Sequence, residues 1–309
     1  MRCVVLDDYQ GVALANADWA GLDVTVQREH LADPAPVLAD AECVVIMRER
    51  TPFDAALFAR LPELRLLITS GMRNAAIDLD AARAHGVTVC GTGSAKTPPA
   101  ELTWALLLGL ARHVAVENAA FHAGGPWQST VGADLAGRTL GLLGFGHIGR
   151  AVARVGKAFG MDVVAWSQNL TADRVEPEGV RLASGLHDLL AQSDFASIHV
   201  VLSDRTRGLV DAAALACLKP TSFLVNTSRA AIVDPAALVE VLRAGRIAGA
   251  GLDVFEVEPL PLTDALRALP NVLATPHVGY VTAANYRTYF TEAVENIHAF
   301  LAGEPIRQL

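Results

Sequence analysis

The chain has 309 residues, of which 52% are hydrophobic and 19% charged, and it carries a formal net charge of −8. That apolar content supports a sizeable core and argues against disorder. The length suits two domains, and an acidic balance without a basic block makes nucleic acid a poor partner. The cysteines Cys3, Cys43, Cys90 and Cys217 are far apart, so no disulfide frame or metal-ligand spacing is visible and they read as small buried hydrophobes. The first residues, MRCVVLDDYQ, lack the charged-then-apolar pattern of a signal peptide. The longest membrane-like run, Leu102 to Leu110, is about half of the ~18 residues that a span requires. The expectation is a cytoplasmic protein with no metal and no membrane partner.

In chain order, short β-branched runs at Cys3–Leu6, Val24–Val26, Cys43–Met47, Leu66–Ile68 and Val87–Cys90 predict strands. Helical stretches separate them, including Phe53–Arg60 and Ile77–His85, the latter stopped by Gly86. Strands alternating with helices predict a parallel sheet covered on both faces. An apolar-periodic segment from Pro98-Pro99 to about His122, ended by Gly124-Gly125-Pro126, predicts one long helix bridging two domains. A second alternating series then predicts strands at Thr139–Leu143, Asp162–Trp166, Phe195–Val201, Phe223–Asn226, Ile247–Leu252 and Val272–Ala274. Ala283–Leu301 predicts a closing helix.

The second series opens on TLGLLGFGHIG, in which Gly144, Phe145, Gly146, His147, Ile148 and Gly149 form a G-x-G-x-x-G turn between a predicted strand and a predicted helix, His147 to Phe159. The first glycine permits the tight turn, the second lets a pyrophosphate approach the backbone, and the third lets helix pack on strand. The phosphates of a dinucleotide then meet the N-terminus of a helix, where free N–H groups and the dipole favour anions. The acidic residue that usually holds the ribose hydroxyls belongs at the end of the second strand, about 20 residues on. Ser167 stands there, followed by Gln168 and Asn169, and no arginine for a 2′-phosphate follows until Arg174. The sequence therefore leaves NAD and NADP both open.

Ligands of open parallel sheets lie beyond the carboxyl ends of the strands. Several polar groups fall there: Ser203 and Thr206, the run Asn226-Thr227-Ser228-Arg229, Asp253 with Glu258 soon after, and Thr275-Pro276-His277 before Gly279. Arg229 is the fixed cation among them, and its planar fork suits a carboxylate. His277 suits proton transfer near neutral pH, and Glu258 suits orienting it.

These residues resemble the D-isomer-specific 2-hydroxyacid dehydrogenases over nearly the whole chain. GFGHIG is similar to that family's cofactor turn, and AELTWALLLGLAR (Ala100 to Arg112) to its interdomain helix. NTSRAAIVD (Asn226 to Asp234) is similar to its arginine motif, GAGLDVFEVEPLP (Gly249 to Pro261) to its glutamate motif, and TPHVG (Thr275 to Gly279) to its histidine motif. The resemblance implies an α/β protein of two domains. Residues 98–283 would form a Rossmann-type NAD(P) domain, and residues 1–97 with 284–309 a discontinuous flavodoxin-like substrate domain. It implies hydride transfer between NAD or NADP and a small 2-keto or D-2-hydroxy acid bound between the domains. Arg229 would bind the carboxylate and keto oxygen, His277 would protonate that oxygen, and Glu258 would pair with His277. Asp253 would contact the nicotinamide amide. Thr227 and Ser228 would line the cofactor, together with Ser167, Gln168, Val201, Thr206 and Gly279. In the first domain, Ser70, Gly71, Met72 and Arg73 would offer backbone N–H groups to the substrate carboxylate. The resemblance also implies a homodimer.

Three departures are visible. Ala230 stands where the family has glycine after the arginine, Val201 stands where it has proline, and Ser167 replaces the ribose-binding acid. Glu258 argues against formate dehydrogenase, which carries glutamine there, and the chain leaves no room for the regulatory domain of many phosphoglycerate dehydrogenases. The alternative in another class is a cofactor-sensing protein like the carboxyl-terminal-binding corepressors, which would carry extra partner-binding tails. A phosphite-type donor would need more cations than Arg73 supplies. Met72, Arg73, Trp104, Trp127 and Tyr280 are the candidates to set pocket size.

Overall fold

The computed structural model describes all residues from Met1 to Leu309. The chain divides into two compact units, Met1–Ala95 with Val281–Leu309 and Lys96–Tyr280. No helix is long and apolar enough to cross a membrane.

The first unit holds β1 (Arg2–Val5), β2 (Asp23–Val26), β3 (Cys43–Ile46), β4 (Leu66–Thr69) and β5 (Thr88–Cys90). They form one parallel sheet in the order β2-β1-β3-β4-β5, the flavodoxin-like arrangement. Every residue of β3 and β4 is buried, because helices cover both faces of a parallel sheet and only apolar runs tolerate that. The edge strand β2 shows the opposite, an alternation of exposed and half-buried residues. Cys3, Cys43 and Cys90 are buried, free thiols in β1, β3 and β5. Burial raises the Cys43 thiol well above its ordinary range and Cys90 to about 11, so both stay protonated and inert. The C-terminal helix Ala283–Leu301, capped by the Thr282 hydroxyl, belongs to this unit. It takes the segment after β5 in charge: Glu292 accepts from the Gly93 N–H at 2.6 Å, Asn285 from Ala95 at 2.8 Å, and the Asn296 amide donates to the Gly91 carbonyl at 2.8 Å.

The second unit holds β6 (Thr139–Leu143), β7 (Asp162–Trp166), β8 (Arg181–Leu182), β9 (Phe195–Ile198), β10 (Phe223–Asn226), β11 (Gly249–Leu252) and β12 (Val272–Ala274). All seven are parallel, in the order β12-β11-β10-β9-β6-β7-β8. Numbered from β6, this is the doubly wound Rossmann order with one strand added. The order reverses between β6 and β9, which opens a crevice at their carboxyl ends. Two apolar clusters, one on each face of this sheet, form the core.

The long helix predicted from Pro98 to His122 is two helices, Pro98–Ala111 and Val114–His122, both in the second unit. His113 breaks it with a left-handed φ of 50°. The cause is a return of the chain: the Ala133 N–H donates to the Ala111 carbonyl at 2.7 Å and occupies the first helix's C-terminal end. Pro98–Ala111 buries eight residues, whereas Val114–His122 buries none. The strand predicted to run to Val201 stops at Ile198, because the Val200 and Val201 carbonyls accept from the hydroxyls of Ser228 (2.6 Å) and Thr206 (2.7 Å) instead of a neighbouring strand. The edge strand β8 was not predicted; two exposed residues carry no period.

Strand β6 leads into Gly144, whose φ of 104° a side chain would rarely adopt. A Cβ there would sit 2.7 Å from the His199 backbone, and one at Gly149 would sit 2.2 Å from the Gly144 carbonyl oxygen. His199 therefore packs directly beneath the turn, with Nε2 at 2.9 Å from the Ser197 hydroxyl. Burial pushes its imidazole down to about 4. The unfolded chain would take up that proton near pH ~6.5, so between those values the unfolded state binds more protons and stability falls as pH falls. We expect the unfolding temperature to drop from pH 7 towards pH 5 and the drop to be shallower in His199→Asn. Equal slopes in thermal melts of the two proteins would refute this role for His199.

Candidate active site

The glycine turn forms a cradle for an anion. The helix His147–Ala158 starts at Gly146 with no side-chain cap and no acidic residue in its first turn, so its first N–H groups point outward uncompensated. Gly146 and His147 are exposed, and a Cβ on Gly146 would meet nothing within 4 Å. A pyrophosphate fits this open backbone. Phe145 and Ile148 do not face it: Phe145 is 3% exposed, and Ile148 packs against the same core cluster. Their contribution to a cofactor is limited to backbone.

At the end of β10 the Asn226 side chain ties a turn. Its carbonyl oxygen accepts from the Ser228 N–H at 3.0 Å, and its amide donates to the Arg229 carbonyl at 3.0 Å. Asn226 is 2% exposed, so the turn that presents Arg229 is anchored in the core. Arg229 itself is half-buried, and Nη1 donates to the Ser228 carbonyl at 2.8 Å. Ser228 spends its hydroxyl on Val200, and the Thr227 hydroxyl sits 2.8 Å from that of Thr103. Both hydroxyls hold the fold, so their contact with a cofactor would be through backbone or a shared bond.

At the ends of β11 and β12 the chemistry converges. Glu258 Oε2 lies 2.6 Å from His277 Nδ1, and Glu258 Oε1 accepts from the Phe255 N–H at 2.9 Å. The pair is accessible only in part, with side-chain exposures of 16% for His277 and 25% for Glu258. A carboxylate accepts only, so the proton lies on Nδ1 and Nε2 is the atom left for chemistry. The Tyr280 ring meets the imidazole edge to face at 5.6 Å.

His277 has a left-handed φ of 52°, a conformation that costs on the order of 1–3 kcal/mol for a non-glycine residue. Asp253 holds it there. This carboxylate accepts from the Thr275 hydroxyl at 2.6 Å and from the N–H groups of Val278 and Gly279 at 2.8 Å each. Burial raises its carboxyl above the ordinary carboxylate range, and the three donors and His277 offset only part of that. Asp253, of which a nicotinamide contact was expected, has here a holding role that the sequence did not announce. Gly279 stands where it does because a Cβ would approach Asp253 Oδ2 to 3.0 Å.

Other expected residues are dispersed. In the first unit, the Ser70 N–H donates to Ile46 and the Gly71 N–H to the Thr92 hydroxyl at 2.9 Å. Only Met72 and Arg73 keep N–H groups for a ligand, which corrects the expectation that the whole loop offers them. Trp104 is core, 6% exposed, and Trp127 is 84% exposed, so neither sets pocket size. Ser167, Gln168 and Thr206 line one pocket beyond β7 and β9; Val201, 80% exposed, does not line it, although its carbonyl accepts from the Thr206 hydroxyl. That pocket also holds Arg205, which the sequence reading passed over. Its place after β9, next to the switch point, was the available signal.

Known proteins share this fold. The sequence model of the D-isomer specific 2-hydroxyacid dehydrogenase NAD binding domain matches residues 104–279. The chain is 40% identical over 261 residues to glyoxylate reductase from Aeropyrum pernix, covering 81% of this chain and 77% of that one. It is 36% identical to hydroxypyruvate reductase from Thermotoga maritima, covering 89% and 90%. The crystal structure of phosphoglycerate oxidoreductase from Vibrio cholerae superposes with a TM-score of 0.94 at 37% identity, covering 98% and 99%. Nothing among these relatives supports the corepressor-like alternative. With a Rossmann unit, a pyrophosphate cradle and an arginine, glutamate and histidine at its strand ends, the chain belongs to the D-isomer specific 2-hydroxyacid dehydrogenase family and is an NAD(P)-dependent oxidoreductase.

Proposed function

We propose that this enzyme reduces a small 2-keto acid, with His277 as proton donor, Glu258 as its partner and Arg229 as the cation for the carboxylate and keto oxygen. The observation that carries this reading is the 2.6 Å contact between Glu258 and His277 Nδ1, which turns Nε2 into the proton-exchanging atom. When bound, the nicotinamide supplies or accepts the hydride. In the reducing direction the Nε2–H of the imidazolium goes to the keto oxygen, and Nε2 keeps the lone pair. Glu258 holds the ring through both states, because its other oxygen is fixed on the Phe255 N–H. Arg229 opposes the charge that develops on the keto oxygen. In the first unit, Met72 and Arg73 retain the N–H groups assigned to the substrate carboxylate. Small substrates are supported by the names of the two curated relatives, glyoxylate reductase and hydroxypyruvate reductase.

The homodimer is proposed on a surface feature. The helix Val114–His122 buries no residue, and Val114, Val116, Phe121, Trp127 and Val131 are 47–93% exposed. So many large apolar side chains on one stretch mark an interaction site.

Three outcomes are expected. His277→Ala should lower turnover on glyoxylate or hydroxypyruvate by about 10² or more, the usual contribution of a general acid; near-normal turnover would remove His277 from the mechanism. Arg229→Lys keeps the charge and loses the fork, so kcat/KM should fall at least about tenfold, and unchanged kinetics would exclude Arg229 from the site. Light scattering should report twice the 32.6 kDa of one chain, and a monomer at assay concentrations would end the dimer reading.

A further inference from the structure

The sequence leaves the choice between NAD and NADP open, and a pocket near Ser167 bears on it through charge. A cavity of about 190 Å³ lies beyond the carboxyl ends of β7 and β9, the strands on either side of β6 and its glycine turn. Its polar lining is Ser167, Gln168, Asn169, Ser203, Arg205 and Thr206, with no carboxylate among the lining residues. Ser167 occupies the position where an acid would hold two ribose hydroxyls, and its hydroxyl makes no hydrogen bond within the protein.

Arg205 brings the charge. Nε donates to Gln168 Oε1 at 2.9 Å and Nη2 lies 3.5 Å from Asn169 Oδ1. These neutral partners orient the guanidinium without neutralising it. No carboxylate lies within ion-pair distance, and Asp204, the next residue back, does not line the pocket. The backbone that carries Arg205 is already set: the Ser203 N–H donates to the Thr206 hydroxyl at 2.8 Å, Thr206 and Arg207 return N–H bonds to the Ser203 carbonyl at 3.0 and 2.9 Å, and the Thr206 hydroxyl donates to Val201. A pre-set arginine with spare N–H donors beside a free hydroxyl is a receptor for a phosphomonoester.

We propose that Arg205 and Ser167 bind the 2′-phosphate of NADP(H), and that this enzyme prefers NADP(H) to NAD(H). The proposal rests on the assigned NAD(P) site but not on the assigned catalytic residues. Recognition splits across the crevice: the glycine turn takes the pyrophosphate that both cofactors share, and the loop after β9 reads the one phosphate that distinguishes them. A carboxylate at either place would repel that phosphate, and its absence alone would permit both cofactors. The cation converts permission into preference.

The test uses adenosine fragments on the whole protein, with isothermal titration calorimetry as readout and no keto acid present. Adenosine 2′,5′-bisphosphate should bind at least about tenfold more tightly than 5′-AMP, with the margin shrinking as salt rises. Arg205→Ala should remove most of that margin. Ser167→Asp should reverse it and carry the same reversal into NADPH against NADH binding, measured by cofactor fluorescence. Melting curves of each variant establish that it is folded, and Ser167→Asp serves alone if Arg205→Ala is not. Equal affinity for the two fragments in the wild type, or a margin that survives Arg205→Ala, would overturn the proposal. So would a loss of affinity that falls equally on both fragments, since it would place Arg205 in adenosine or loop packing. Failure of His277→Ala to reduce turnover would leave these fragment affinities untouched, so the two readings fail separately.

Discussion

Asp253 sits at the end of β11 with 1% of its surface exposed, and its two oxygens accept three hydrogen bonds from the segment that carries His277. A buried carboxylate is expensive unless donors surround it. Here the donors come from the one loop whose shape matters most. The bond to Thr275 fixes where the loop leaves β12, and the bonds to Val278 and Gly279 fix where it continues. Between these anchors His277 has little choice but the left-handed conformation that aims its ring at Glu258. The geometry of the His277–Glu258 pair is therefore set by a group outside that pair. Glu258 repeats the principle on a smaller scale, with one oxygen on the backbone and one on the imidazole.

That loop lies where it does because of strand order. β10, β11 and β12 are consecutive neighbours, so Arg229, Asp253 and His277 leave the sheet on one edge although dozens of residues separate them in the chain. The glycine turn leaves β6 on the same edge, on the far side of β9. The fold thus supplies a row of anchored strand ends, and each carries one of the proposed roles: pyrophosphate at β6, ribose phosphate after β9, substrate charge at β10, and proton transfer at β11 and β12.

What the sequence disclosed follows from how local each signal is. The turn Gly144–Gly149 was legible because its glycines answer to a contact within a few residues, between Gly149 and the Gly144 carbonyl. The closing helix was legible to the residue because its cap, Thr282, adjoins it. The break at His113 was not legible, since histidine is no helix breaker and the interrupting bond comes from Ala133. The early end of β9 depends on hydroxyls at Thr206 and Ser228, one of them 28 residues away. Arg205 carried no signal of its own, because the Gln168 side chain that orients it lies 37 residues earlier. The motifs pointed to residues that the fold gathers at its strand ends, and the long-range hydrogen bonds determine how they are held.

The distribution of charge along this edge resolves an apparent conflict. An enzyme with a net charge of −8 handles an anionic acid and an anionic dinucleotide. At physiological ionic strength, charges beyond about 8 Å are largely screened, so the local inventory governs binding. The cations Arg229 and Arg205 follow the neighbouring strands β10 and β9, and the helix N-terminus at Gly146 adds its partial charge beside them. Two carboxylates on the edge, Asp253 and Glu258, are committed to the protein, Asp253 to three donors and Glu258 to two. Neither is presented to a ligand as an unpaired negative charge. Surface acidity then costs the site little, because the two acids beside His277 are hydrogen-bonded to the chain that they position.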